Sequence, residues 1–267
     1  MSKRFDHSKF VRKAKAGVKE ALTSPDHILV QAVSSVDELN KISNLAYERL
    51  TEWYGLHFPE FKHRDPVKYT KIALILDRTS PDEGKVREIL GESANSVLEK
   101  AKNSVGVKFS EDDMGMLRSH AEMLVSIYNF REKLEEYQNK LAEKLAPNIS
   151  LLAGPGVTAK LIAQAGSLKR LASFPSSTIQ VLGAEKALFK HLKSGSPPPK
   201  HGLIFQHPLI STAPKKARGK LARALAAKIA IATKADAYSH NSIAGKLKEQ
   251  FDKRANAILQ KTKEKKK

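Results

Sequence analysis

The sequence predicts an all-α protein, in which a long antiparallel coiled-coil domain is followed by a compact, basic helical domain. Three observations lead there. Strand signals are sparse: β-branched runs are short, and most of the chain repeats apolar residues at helical spacing. Two long stretches keep a seven-residue apolar repeat. Charge is also segregated, since residues 154–267 carry 23 Lys and Arg against 5 Asp and Glu, whereas residues 1–153 carry 24 against 23.

Taken in order, residues 8–22 read as a short basic amphipathic helix that stops before Ser24-Pro25. Asp26 then stands where a carboxylate favours the positive end of a helix running to about Tyr54. Along it Leu29, Val36, Ser43 and Leu50 align, as do Ala32, Leu39, Ala46 and Trp53. Gly55 and Pro59 end it. Two shorter helices follow, over about 61–78 and 81–102, separated by Ser80-Pro81. A second long helix starts near Ser110, whose hydroxyl caps a turn holding Glu111, Asp112 and Asp113, and it runs to Leu145 before Pro147. Leu124, Ile127, Leu134, Leu141 and Leu145 form its seam, with Arg131 and Gln138 as polar intrusions. The heptads fit an ordinary bundle core as well. Helices of roughly 30 residues, about 45 Å long at 1.5 Å per residue, favour a rod.

The composition changes at Leu151-Leu152-Ala153-Gly154-Pro155-Gly156, and a domain boundary is expected there. Beyond it, helices are expected over 156–165, 167–172, 176–181, 183–193, 215–238 and 241–262. Pro197, Pro198 and Pro199 cannot be helical and stiffen the connection between the fourth and fifth. The lysine-rich end, 261–267, reads as a frayed terminus.

Composition narrows function. Hydrophobic residues make up 41%, enough for a real core, and no run of about 18 apolar residues suggests a membrane span. The first residues lack the apolar stretch of a signal peptide, so an intracellular setting is expected. With no cysteine, disulfides, thiolate metal sites and cysteine nucleophiles are excluded. No phosphate-loop, zincin or nucleophile-elbow motif occurs, and the paired acids Asp112-Asp113 and Glu135-Glu136 fall on solvated helix faces. An enzyme is not expected. The neutral part suits protein contacts, and the basic part suits a polyanion.

Two segments carry the chemistry of that basic part. The first is Gly183-Ala184-Glu185-Lys186-Ala187-Leu188-Phe189-Lys190-His191-Leu192, where Gly183 opens a helix and its amides and dipole attract an anion. Lys186, Lys190 and Lys193 share one face of it. In the second, Arg218, Lys220, Arg223 and Lys228 project from an alanine-rich stem whose Leu221, Leu225, Ile229 and Ala232 face the core. Such cations suit phosphates, arginine adding bidentate contacts. His191 or His201 is placed to stack on an unpaired base, or serves the core or surface.

At these residues the sequence resembles the Nop family. Gly183-Ala184-Glu185-Lys186, the block Pro198-Pro199-Lys200-His201-Gly202-Leu203-Ile204-Phe205-Gln206-His207-Pro208-Leu209-Ile210 and the stretch Arg218 to Lys228 follow in the family's order and spacing. Trp53-Tyr54-Gly55-Leu56-His57-Phe58-Pro59-Glu60 is similar to the end of the family's coiled coil. The resemblance spans roughly residues 25–260 and points to the archaeal scaffold of box C/D ribonucleoproteins. It implies a non-catalytic scaffold for RNA-guided 2′-O-ribose methylation in the archaeal cytoplasm. The implied partners are box C/D guide RNA, the methyltransferase fibrillarin, a ribosomal-type kink-turn-binding protein, and a second copy joined through the coiled coil. No cofactor is implied for this chain, S-adenosylmethionine belonging to fibrillarin.

By motif, Gly183, Ala184, Glu185 and Lys186 would meet the kink-turn protein, with Lys186 also near RNA. Lys190, His191, Arg218, Lys220, Arg223 and Lys228 would meet RNA. Glu185 pairs with a basic partner residue or Arg218, or merely complements the helix dipole. The implied division is 1–24, a short segment read as a reduced fibrillarin-binding module; 25–153, coiled-coil dimerisation; and 154–267, the Nop domain with its basic tail. Family members carry a larger α/β module ahead of the coiled coil than the 24 residues preceding Pro25. Either the reduced module suffices or fibrillarin contacts move to the coiled coil. The competing reading is an architectural protein that binds nucleic acid without specificity.

Overall fold

The computed structural model describes residues 7–22 and 25–264. Every regular element among them is helical. They are α1 (His7–Leu22), α2 (Pro25–His57), α3 (Pro66–Ile75), α4 (Glu83–Leu90), α5 (Ala94–Lys102), α6 (Glu111–Leu145), α7 (Pro147–Ala153), α8 (Pro155–Ala165), α9 (Leu168–Ser173), α10 (Ser176–Val181), α11 (Glu185–Ser194), α12 (Pro208–Ser211), α13 (Lys215–Lys234) and α14 (Ala244–Glu264). The expected tail beyond Glu264, residues 1–6 and the Ser24 stop lie outside the described residues.

The chain divides into two compact units: Ser35–Leu134, and the remainder made of Met1–Ser34 with Glu135–Lys267. The edge of the second unit is thus not the compositional change at Gly154. α7 explains the difference, because its Ile149 and Leu152 sit in the same core as α8, α13 and α14. Charge changes at Gly154; packing does not.

In the Ser35–Leu134 unit, the cap expected at Ser110 is present, and the structure makes it reciprocal. Its hydroxyl accepts from the Asp113 N–H (3.1 Å), and the Asp113 carboxylate accepts from the Ser110 N–H (3.2 Å). On α2 the row Val36, Ser43 and Leu50 is buried. On α6 the buried row is Leu117, Ala121, Leu124 and Tyr128, one position from much of the expected seam, so Ile127 and Leu134 are only half-buried. The polar intrusion at Arg131 donates to the Asn40 side chain at 3.1 Å. The first insert helix starts at Pro66, where Asp65 accepts from the Val67 and Lys68 amides. The second is split at Gly91 into α4 and α5.

The Trp53–Glu60 motif is architectural. Tyr54, Phe58, Phe61 and Tyr69 form an aromatic core, with Phe61 stacked on Tyr69 at 4.9 Å. The Tyr54 hydroxyl donates to the Leu76 carbonyl (2.9 Å), and Glu60 accepts from the Ser104 hydroxyl and the Val105 amide. His57 is fully buried between Val107 and Arg78: Nδ1 lies 3.0 Å from the Val107 carbonyl, and Nε2 accepts from the Arg78 amide. Burial holds its pKa below the ordinary histidine value, outweighing the Val107 carbonyl and Asp77, which favour the charged ring.

That depression makes stability depend on pH. The unfolded chain gains this proton near pH 6.5, before the folded one does. The contribution is therefore complete above that value and is lost as pH falls through the folded pKa. Lowering the pH from about 7.5 to about 5 is expected to lower the melting temperature, and His57→Gln to flatten that slope. Parallel slopes for the two proteins would refute the assignment.

The other unit is built around α13, which is packed by α7, α9, α10 and α14. Leu221, Leu225 and Ile229 face this core as their spacing predicts. The Asp26 carboxylate, in the first turn of α2, accepts from the Leu168 amide that opens α9 (3.2 Å). Past α13 the chain makes one π-helical turn, Ala235–Ser239, ending at His240 in the left-handed region. This turn places Asp236 in the core. Its carboxylate accepts from the backbone amides of Asn148 (3.1 Å) and Ile149 (3.0 Å) and from the Asn148 side chain (2.7 Å). Asn148 in turn accepts from the Ile243 and Ala244 amides, capping α14.

Candidate nucleic-acid interface

The three resemblance-bearing stretches meet on one side of α13. The chain leaves α10 through Leu182 and turns at Gly183, whose φ of +85° belongs to the left-handed region that favours glycine. A Cβ there would lie 2.5 Å from the Leu203 Cγ. The proline-bearing loop returns alongside: the Gly202 amide donates to the Gln180 carbonyl (2.9 Å), Leu203 to Leu182 (2.8 Å), and the Gln180 side chain to the Lys200 carbonyl (2.8 Å). The loop then packs across Gly219 of α13.

Between them lies a groove of about 340 Å³, lined by Pro197, Pro198, Pro199, Lys200, Lys216, Lys220 and Arg223. Lys216, Lys220 and Arg223 are exposed. Cations on rigid supports, facing a stiff loop, are complementary to a phosphodiester backbone. Lys200 and Lys216 were not among the expected contacts, for the loop's return onto α13 is a tertiary fact.

α11 leads directly into the proline-bearing loop. None of its residues is buried, and Phe189 and Leu192 are 60% and 70% exposed. Lys186 and Lys190 are exposed as expected. Phe189 and Leu192 were overlooked because an apolar pair three residues apart ordinarily marks a core-facing stripe. Exposed beside lysines, they form a patch of the kind that meets another macromolecule.

The motif residues at the start of α11 are partly self-satisfied. The Gly183 amide donates to the Glu185 carboxylate (2.8 Å) and Ala184 to the Val181 carbonyl (2.9 Å), so neither is a vacant anion donor. Gln164 also donates to Glu185 at 3.1 Å. These bonds, rather than one to Arg218, are what holds Glu185. His191 is half-buried and bonded through Nδ1 to the Ser196 carbonyl, tethering the loop to α11.

Arg218 differs most from its expected role. Nε donates to the Ala213 carbonyl (2.8 Å) and Nη2 to Ser211 (3.1 Å), and the guanidinium lies 5.3 Å from the centre of the Phe205 ring. His201 stacks on Phe205 at 4.5 Å. Arg218 therefore pins the segment 205–213. Burial, reinforced by the nearby Arg218 and Lys200 charges, lowers the His201 pKa. Lys228, half-buried, donates to the Gln250 side chain (2.6 Å) across the space between α13 and α14.

Among the described residues no cluster of three or more potential metal ligands occurs, and no helix is long and apolar enough to cross a membrane. The fold and this face together define a class: an all-helical protein presenting a cation-lined surface complementary to a polyanion.

The particular family follows from comparison. The Nop family model, described as "snoRNA binding domain, fibrillarin", matches residues 35–257, and the chain belongs to that family. An uncharacterised NOP5 family protein of Methanocaldococcus jannaschii is 43% identical over 248 residues, covering 91% of this chain and 60% of that protein. Human nucleolar protein 56 is 37% identical over 252 residues, covering 90% of this chain and 42% of its own length. The chain thus spans roughly half the length of such relatives. Among solved structures, a chain in the crystal structure of a fibrillarin/Nop5p complex superposes with a TM-score of 0.57 at 28% identity, over 95% of this chain and 79% of that one.

Proposed function

We propose that this chain is a non-catalytic scaffold in RNA-guided 2′-O-ribose methylation by a box C/D particle, acting in the cytoplasm of an archaeal cell. It joins fibrillarin to guide RNA whose kink-turn carries a ribosomal-type kink-turn-binding protein. One observation carries the reading: within a chain of the Nop family, the proline loop and α13 enclose a cation-lined groove, and α11, tied to that loop through His191, exposes Phe189 and Leu192. Exposed Phe189 and Leu192 next to lysines suit a surface that meets protein and RNA together. Lys186, Lys190, Lys220 and Arg223 contact phosphates, while Phe189 and Leu192 contact the kink-turn protein. The methyl donor, S-adenosylmethionine, resides with fibrillarin.

Residues 25–153 serve self-association. On α6, Met116, Met123 and Phe130 recur every seven residues at 62%, 48% and 56% exposure, an apolar stripe suited to a second copy.

The test is a titration. Bare kink-turn RNA is expected to bind weakly with a steep salt dependence, and RNA already carrying the kink-turn protein much more tightly. Lys186→Ala combined with Arg223→Ala is expected to cost the ternary complex about 3 kcal/mol, roughly a hundred-fold in affinity. Equal affinity with and without the kink-turn protein would favour non-specific nucleic-acid binding and overturn the composite surface.

A further inference from the structure

Lys220 and Arg223 border a second groove on the far side of their ridge, between α13 and α14. Its volume of about 610 Å³ exceeds that of the proline-loop groove, and falls within the ~300–1,000 Å³ of clefts that hold small organic ligands. Four cations rim it: Lys220, Arg223, Lys228 and Arg254. Among the described residues no carboxylate lines it, although α14 carries Glu249 and Asp252. Glu249 is engaged with Lys253 at 2.6 Å. The floor is apolar and shallow, made by the half-buried Ala224 and Ala227 with Phe251 and Ile258 behind them. Gln250 accepts from Lys228 and holds that ammonium across one end.

We infer that this groove binds an unpaired segment of RNA. Phosphates lie on the rim formed by Lys220, Arg223, Lys228 and Arg254, and a base rests on the small-residue floor. The combination decides the ligand class. A rim of cations alone suits any polyanion, but an apolar floor opened by two alanines suits a ligand that is anionic on its edge and flat and apolar at its centre. A duplex keeps its bases stacked inside and offers such a floor nothing. Lys220 and Arg223 face both grooves, so one strand crossing their ridge passes from the proline loop to α14. Arg254 becomes an RNA-binding residue, and Lys228 is assigned to this second groove. The inference rests on the proposed RNA-binding role and extends it to a strand beyond the surface shared with the kink-turn protein.

The experiment uses the full chain and fluorescence anisotropy with a labelled, unstructured oligouridylate and a matched RNA duplex. Lys228→Ala combined with Arg254→Ala is expected to weaken the single strand about ten-fold near physiological salt. It is expected to reduce the salt slope by about 1.4, at about 0.7 per lost phosphate contact. Ala227→Leu fills the floor and leaves every charge in place; it is expected to weaken the single strand about five-fold while leaving its salt slope and the duplex affinity unchanged. Melting temperatures of the variants report whether each remains folded, and Ala227→Ser, which keeps the floor open, serves as the second variant should leucine disturb packing; it is expected to retain wild-type affinity. Failure of the wild-type chain to bind any RNA would defeat the functional reading itself. Wild-type binding that survives both Lys228→Ala/Arg254→Ala and Ala227→Leu would overturn only the second groove, as would a preference for the duplex.

Discussion

Asp236→Ala is expected to destabilise the unit built around α13 by about 3–5 kcal/mol, seen as a lower denaturant midpoint. Asp236 is 3% exposed, and its carboxylate answers two backbone amides at the start of α7 and the Asn148 side chain. Alanine would leave those donors buried without an acceptor, and each such loss costs about 1–3 kcal/mol. The effect spreads because Asn148 is itself positioned by Asp236 and caps α14 through Ile243 and Ala244. Asn148→Asp is a sharper probe: it would set a second carboxylate 2.7 Å from the first, where the amide now donates. It is expected to cost at least as much at neutral pH, and to recover partly at low pH as one of the two acids takes a proton. A wild-type midpoint for Asp236→Ala would show that the network contributes little. Because the chain has two compact units, the test follows probes within α7–α14 rather than a single global signal.

This network also marks where sequence reading stops. The starts of α6 and α8 and the inward row on α13 are legible because each is written locally: a capping serine, a proline at the first helical turn, leucines four residues apart. Asp236 carries no local signal of its role, since its partners lie almost ninety residues earlier. α7 has no counterpart in the sequence-based expectations, which end the preceding helix before Pro147, yet proline suits a first helical turn. The long helices supply residues to both cores, so a boundary sought in composition falls where charge changes and not where packing does. Arg218 shows the same limit in the site. Its place on the outer face of a basic helix suggested a phosphate ligand, but the carbonyls of Ser211 and Ala213 arrive from a loop whose path no spacing rule reveals. Lys186, Lys190, Lys220 and Arg223 project outward as helical periodicity requires.

Gly202→Ala is expected to remove about 2–4 kcal/mol of stability and, with it, the wall of the proline-loop groove. A Cβ at this position would lie 2.0 Å from the Leu182 carbonyl oxygen and 2.7 Å from the Val181 carbonyl carbon. Those are backbone atoms, unable to swing aside like the end of a side chain. Relief requires the loop to withdraw, and withdrawal breaks the hydrogen bonds from the Gly202 amide to the Gln180 carbonyl and from the Leu203 amide to the Leu182 carbonyl. The same movement carries Lys200 off α13, because its carbonyl is held by the Gln180 side chain. Gly219→Ala provides the contrast. Its Cβ would meet the Lys200 Cβ at 3.3 Å, a side-chain contact that a few tenths of an ångström relieves, so a loss below about 1 kcal/mol is expected. RNA affinity separates the two further: Gly202→Ala should weaken binding even at temperatures where the protein remains folded, whereas Gly219→Ala should not. Wild-type stability together with wild-type affinity in Gly202→Ala would mean that the loop does not run against α10, and the groove would lose one of its two sides.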